Sequence, residues 1–379
     1  MADSAPIRHA ATGLPLPDHV ALVLQGGGAL GAFQLGVFEA LDEARIPIDW
    51  VAGISIGAIN AAIIAGNPCG RRLERLHAFW NKVSVAIPAA PIFGGVYGRA
   101  AFHQMAAAMV AMFGVPGLFR PRWLSPFLAP PGAPGALSFY DSAPLADTLA
   151  ELVDWDLLND GPTRFSVGAV EIASGNFRYF DNRLGDRIDA RHVMASGALP
   201  PGLPPVAIDG GLWWDGGLVS NTPLSHIVNH QPGDMLVFQV DLFPATDTIP
   251  ETMWDVFARE KEIRYSSRTR QISDALIRSR QEHQLVARLL DKLPAELADD
   301  PDVEALRAIT AESSLSLVQL IYRANGWEGG SSDYEFSQRT LRDHIAAGRA
   351  SIAETMSRAG LIARNIYDGS TAAFDLTPR

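Results

Sequence analysis

A continuous apolar run, Val20-Ala-Leu-Val-Leu24, follows a polar, proline-punctuated lead that ends at Asp18. An uninterrupted run of this length marks a strand buried on both faces. It breaks into Gly26-Gly27-Gly28, after which Leu30, Phe33, Val37 and Leu41 recur at helical spacing over 29–44. The order strand, glycine turn, helix repeats at Trp50-Val-Ala-Gly-Ile54, Ser55-Ile56-Gly57 and the small apolar stretch 58–65. Further strands are expected at 165–172 with a hairpin partner at 177–180, at 206–208 paired with 212–214, and at 235–242. This alternation predicts an α/β fold with a mostly parallel sheet covered on both faces.

Two stretches depart from that rhythm. From Arg75 to Tyr140 there is no Asp or Glu, where an even spread of the chain's 42 acids over 379 residues would put about seven. The stretch carries apolar clusters such as Met105-Ala-Ala-Ala-Met-Val-Ala-Met-Phe113 and Pro116-Gly-Leu-Phe119. It reads either as an excursion packed on the core or as an apolar insertion, about 75–140, that borders an apolar site. In the second reading it also touches an anionic membrane surface, with Phe113 and Phe119 as contacts. Beyond residue 250 the chain becomes long, helical and charged over 251–293, and 314–323 reads as one more strand. Within 259–288, eight basic residues face four acidic ones; a solvated helix face is the plain reading, a face toward lipid phosphates the alternative. The expected organisation is an N-terminal tail (1–18), a catalytic domain (19–250) and a mainly helical C-terminal extension (251–379).

Composition removes several functions. A net charge of -11 lacks the basic footprint that a phosphate backbone needs, so nucleic acid is not an expected partner. The single cysteine, Cys69, allows neither an internal disulfide nor a cysteine-cluster metal site and suits a reducing compartment. Residues 1–17 hold no apolar run resembling a signal peptide, and no stretch of about 20 apolar residues could span a bilayer. A cytoplasmic location is expected, with any membrane contact peripheral.

Gly53-Ile54-Ser55-Ile56-Gly57 fits G-x-S-x-G where a strand meets a helix. The glycines permit a sharp turn that lifts the serine hydroxyl clear of the sheet, which makes Ser55 a candidate nucleophile. The amides of Gly26, Gly27 and Gly28, at the same sheet edge, together with that of Ile56, form a candidate oxyanion hole. The loop also fits G-x-G-x-x-G, but a dinucleotide site wants an acidic residue at the end of the second strand, and Ser55 stands there while Asp49 precedes that strand. For the base, His192, His226 and His230 read as helix residues. Asp215 is sharper: Trp213-Trp214-Asp215-Gly216-Gly217-Leu218-Val219-Ser220-Asn221-Thr222-Pro223 runs from a strand through a glycine turn into a helix, with Thr222 suited to the N-cap. Trp213, Trp214, Leu218 and Val219 would desolvate the carboxyl and raise its pKa from about 3.9. Asp209-Gly210-Gly211 reads as a hairpin turn, and Asp241, ending an apolar strand, is a weaker rival.

These blocks together resemble the patatin-like phospholipases, with the likeness running over about 20–242 and including Ala195-Ser196-Gly-Ala-Leu-Pro200. The part beyond 250 is similar to an extension of a bacterial subgroup. The resemblance implies a three-layer α/β/α fold and a lipid acyl hydrolase with a Ser–Asp dyad, Ser55 and Asp215, without histidine; no metal or organic cofactor is expected, since nothing in the chain has metal-ligand spacing. Leu30 stands where many members carry Arg or Lys, which weakens the expectation of a phosphate-bearing substrate. A lipid ester is the first expectation and a polyester oligomer the second. A membrane- or granule-associated binding protein without useful turnover is the alternative of another class.

Overall fold

The computed structural model describes residues 8–85, 96–246, 249–297, 299–311, 313–323, 328 and 331–377, so residues 1–7 of the expected tail and 86–95 of the expected insertion lie outside the described residues. In chain order the elements are β1 (Arg8–His9), β2 (Pro15–Leu16), β3 (His19–Leu24), α1 (Ala32–Glu43), β4 (Trp50–Gly53), α2 (Ile56–Ala65), α3 (Arg72–Lys82), α4 (Val96–Phe113), β5 (Arg120–Pro121), β6 (Tyr140–Asp141), α5 (Ala143–Leu152), α6 (Trp155–Asp160) and β7 (Arg164–Glu171). They continue with β8 (Phe177–Asp181), α7 (Ala190–Ser196), β9 (Val206–Ile208), β10 (Gly211–Asp215), α8 (Leu224–Asn229), β11 (Met235–Asp241), α9 (Met253–Leu290), α10 (Pro301–Thr310), β12 (Leu315–Ile321), α11 (Gln338–Ser357), α12 (Ala359–Tyr367) and β13 (Ala372–Asp375).

One mixed sheet runs in the order β13-β12-β11-β3-β4-β7-β10-β9, with β8 added on β7. Every pairing from β13 to β7 is parallel; β8, β9 and β10 run antiparallel to their neighbours. The apolar run of β3 explains the layering. Val20, Leu22 and Leu24 pack in one core cluster and Ala21 and Val23 in another, so alternate side chains bury against helices on opposite faces of an α/β/α sandwich.

The register of β7 brings distant segments together. Its first half pairs with β4, Gly53 opposite Val167, and the second half of the same edge pairs with β10, Asp215 opposite Ala169. β4 and β10 run in opposite directions along that edge, so their ends converge beside Gly168. Ser55 follows one end and Asp215 is the other.

Residues after 250 enter the same sheet. β12 forms where a strand was expected, and β13, which the sequence pattern did not show, pairs parallel to it. α11 returns across α1 at a close crossing: a Cβ on Gly36 would lie 1.9 Å from the Ile345 carbonyl, and one on Gly348 2.1 Å from that of Phe33. Two local expectations shift. The helix expected from 29 opens as a 3₁₀ turn, Gly28–Gly31, before α1. α8 begins at Leu224 rather than at Pro223, and the Thr222 hydroxyl, 2.9 Å from Thr269 Oγ1, does not cap it. The basic residues of α9 are partly turned inward: Arg259 donates to the Pro244 and Ala245 carbonyls, Arg280 to those of Ser313 and Val228, and Lys261 pairs with Asp333.

Candidate active site

Ser55 sits between β4 and α2 with φ 55° and ψ -123°, a conformation that costs a non-glycine residue of order 1–3 kcal/mol and holds only where the surroundings enforce it. The surroundings are tight. A Cβ on Gly53 would stand 2.2 Å from the Gly57 carbonyl oxygen, and one on Gly57 2.3 Å from that of Leu24, so both glycines of the motif are required by close approach. The Ser55 amide donates to Ser196 Oγ at 3.0 Å, which ties the turn to the end of α7.

Asp215 closes the other side. It is 3% exposed, its amide donates to the Ala198 carbonyl at 3.1 Å, and its Oδ1 accepts the Gly217 amide at 2.7 Å. Ser55 and Asp215 line the same pocket, near enough for the Ser55 hydroxyl to act on the pKa of that carboxyl group. Burial pushes the Asp215 pKa up to about 7, against the pull of the Gly217 amide and the Ser55 hydroxyl. Of the residues expected to shield it, Trp213 is buried, whereas Leu218 and Val219 are 39% and 44% exposed.

The other base candidates fall elsewhere. Asp209 and Gly210 both have positive φ, 48° and 84°, and form the two-residue β9–β10 turn. Asp241, also pushed by burial up to about 7, accepts from Gln239 Nε2 at 2.6 Å and does not line the pocket of Ser55. His192 sits in the capping box that opens α7, His226 meets Asp181 at 2.8 Å, and His230 bonds the His226 carbonyl. Among the described residues no histidine lines the pocket.

The glycine loop is clamped to the aspartate turn. Gly26 donates its amide to the Asn221 carbonyl at 3.3 Å and accepts from Asn221 Nδ2 at 2.9 Å. The Gly26 amide is therefore engaged and leaves the expected oxyanion set; those of Gly27, Gly28 and Ile56 have no hydrogen-bond partner among the described residues. Gly28, at φ 56°, lies under the Asp333 carbonyl, which would be 2.2 Å from a Cβ there. That contact closes the floor a pyrophosphate would need, and Asp49 is spent at the opposite sheet end, accepting the Val20 amide at 2.9 Å. Leu30 is buried in the core beside the loop.

Sequence reasoning missed two supports. Behind the loop a buried polar chain runs from Trp80 through Asn60 and Gln34 to the Gln25 carbonyl, and Gln25 itself bonds Thr269 and the Leu242 amide. Asn60, the one polar residue in α2, and Gln25, at the end of an apolar run, were the available signals. In front of the loop, Tyr265, Asp333, Tyr334 and Phe336 come from beyond residue 250, and no pattern announced them. They enclose, with Leu118 and Phe119, a cavity of about 150 Å³ that reaches Ser55 and Asp215. Phe119, expected at a membrane, is thus a pocket wall and packs edge-on against Tyr140 at 4.9 Å.

A family model described as patatin-like phospholipase matches residues 22–228, and one described as patatin phospholipase matches 263–365. A lysophospholipase NTE1 of Pyricularia oryzae is 25% identical over 249 residues, 63% of this chain and 13% of that protein. The mouse patatin-like phospholipase domain-containing protein 6 is 40% identical over 68 residues, 18% of this chain and 5% of that one. The chain thus spans about an eighth or less of the length of these curated relatives. VipD from Legionella pneumophila aligns structurally at TM-score 0.40 and 14% identity, over 95% of this chain and 72% of that one.

Proposed function

Because the chain belongs to the patatin-like phospholipase family, we propose that it is a serine acyl hydrolase that cleaves carboxylic esters of lipids with Ser55 and Asp215. The observation that carries the reading is a buried carboxyl group, its pKa pushed up to about 7, lining one pocket with a hydroxyl held on a strained turn. An acid with that value is a competent base near neutrality, where a solvated aspartate is a feeble one. Asp215 takes the Ser55 proton as Oγ attacks the ester carbonyl, and the amides of Gly27, Gly28 and Ile56 receive the developing oxyanion. As the tetrahedral species collapses, Asp215 returns the proton to the departing alcohol. Water then adds to the acyl-enzyme, giving its proton to Asp215, and the carboxylic acid leaves as Oγ is reprotonated. The names of the matched relatives support a lipid monoester as the kind of substrate.

Lipid would reach the pocket from a surface suited to it. Trp123 is fully exposed, Phe127 and Leu128 are 85% and 73% exposed, and Leu124, Leu137 and Phe139 join them. This apolar face lies between β5 and β6, and Tyr140 of β6 lines the pocket. With no acidic residue in 75–140, it is suited to peripheral contact with a membrane.

Turnover of nitrophenyl octanoate tests the catalytic assignment. Ser55→Ala and Asp215→Asn are expected to lower kcat by about 1,000-fold or more, while Asp209→Asn lowers the melting temperature and spares turnover. Retention of more than a tenth of the activity by Asp215→Asn would overturn the choice of base.

A further inference from the structure

The C-terminal part lines the pocket with Tyr265, Asp333, Tyr334 and Phe336, and its charge is unexpected for a site named after phospholipids. Among the described residues that line the cavity there are two carboxylates, Asp215 and Asp333, and no lysine, arginine or histidine. Asp333 Oδ1 meets Lys261 Nζ at 2.7 Å, so the nearest ammonium is already committed to a carboxylate. Lys261 also lies 5.4 Å from the Tyr334 ring centroid. The Asp333 carbonyl rests on Gly28, so the backbone of this residue is held against the glycine loop. Leu30, the loop position at which a cation could stand, is packed in the core. The remaining lining is uncharged: Tyr140, Tyr265 and Tyr334 among apolar residues such as Leu199, Leu203 and Phe243.

We propose that this pocket selects an uncharged acyl ester, an acylglycerol in chemical class, and that Asp333 is the specificity-determining residue that turns away a phosphate-bearing leaving group. The inference rests on the pocket being the acyl-ester site. A phosphate there meets two carboxylates in a partly water-excluded cleft, and Lys261, the cation beside them, is already engaged by Asp333 and offsets little of the lost hydration. A glycerol hydroxyl instead finds acceptors in Asp333 and the tyrosine oxygens, and it brings no charge to desolvate. Burial also raises the Asp333 pKa, with Lys261 pulling the other way, so the group is sensitive to any further anion placed beside it.

The test separates binding from turnover. Calorimetry on the full-length Ser55→Ala protein compares octanoylglycerol with octanoylglycerol phosphate, each kept below its micelle-forming concentration. The uncharged lipid is expected to bind at least about tenfold more tightly, and adding Asp333→Asn, a substitution of the same shape, is expected to narrow the ratio by about threefold or more. Equal or tighter binding of the phosphate, a ratio unmoved by Asp333→Asn, or no binding of either lipid overturns the proposal. The comparison of the two lipids on the Ser55→Ala protein stands without the Asp333 variant if that variant does not fold. Wild-type protein that binds with this preference yet hydrolyses neither lipid would leave the charge selection standing and remove the catalytic reading instead.

Discussion

At the scale of single residues, a carboxyl group with a pKa of about 7 changes its protonation in the range where the protein would work, and the sign of the effect follows from its role. Asp215 must be deprotonated to accept the Ser55 proton, so kcat/KM is expected to rise with pH through about 7 and to fall about tenfold per unit below it. A stopped-rate pH profile on a soluble ester checks this, and a flat profile between pH 5 and 8 would contradict it. Asp241 carries the same shift without a role at the pocket, so its consequence is for stability. Its folded value lies above the ordinary one, and the folded state therefore holds its proton more firmly. That advantage is complete below about pH 4 and is lost as pH rises to about 7. Asp241→Asn should accordingly gain stability relative to wild type by about 2 kcal/mol between pH 5 and 8, read from denaturant melts; a difference that does not move with pH counts against the shift. Ser55 and Asp215 were legible because glycines flank them at a strand end. The engagement of the Gly26 amide was not, since its partner Asn221 is 195 positions away and only the folded turn brings the two together.

Among the elements, the meeting of β4 and β10 along one edge of β7 places the two reactive groups, and the crossing of α1 and α11 holds the C-terminal wall against them. Each helix has a glycine at that crossing because the backbones touch. Gly36→Ala and Gly348→Ala are each expected to cost roughly 3 kcal/mol by forcing the helices apart, visible as a lowered denaturation midpoint; a loss under 0.5 kcal/mol would mean that the crossing relaxes freely. The buried strands β3, β4, β7 and β11 could be read from their apolar runs, and β12 as well. β13 could not: Ala372–Asp375 is short, half-exposed and mixed in character, so nothing in its pattern separates it from a loop. The turn Ser332–Tyr334 escaped for the same reason, although the Asp333 carbonyl sits on Gly28.

For the whole molecule, the sheet passes through the chain from β3 to β13, and the pocket is closed by residues drawn from the insertion, from the central domain and from beyond 250. No helix of the described residues is long and apolar enough to cross a membrane. The exposed aromatic face between β5 and β6 predicts contact of another kind: Trp123→Ser combined with Phe127→Ser should reduce sedimentation with anionic vesicles by about tenfold or more, since each immersed aromatic is worth about 2 kcal/mol. Wild-type levels of sedimentation in the double variant would remove that face from the account. The compositional shift over 75–140 pointed to an apolar border but could not divide it into a pocket wall at Phe119 and an outer face at Trp123 and Phe127, because that division depends on which way the chain turns at Gly114 and Gly117, both at positive φ. The catalytic pairing itself is tested most directly by mass spectrometry of protein treated with a fluorophosphonate. A single adduct on the peptide carrying Ser55, absent in Ser55→Ala and formed at least about 100-fold more slowly in Asp215→Asn, is the expected result. An adduct on another residue, or labelling of Asp215→Asn at the wild-type rate, would contradict it.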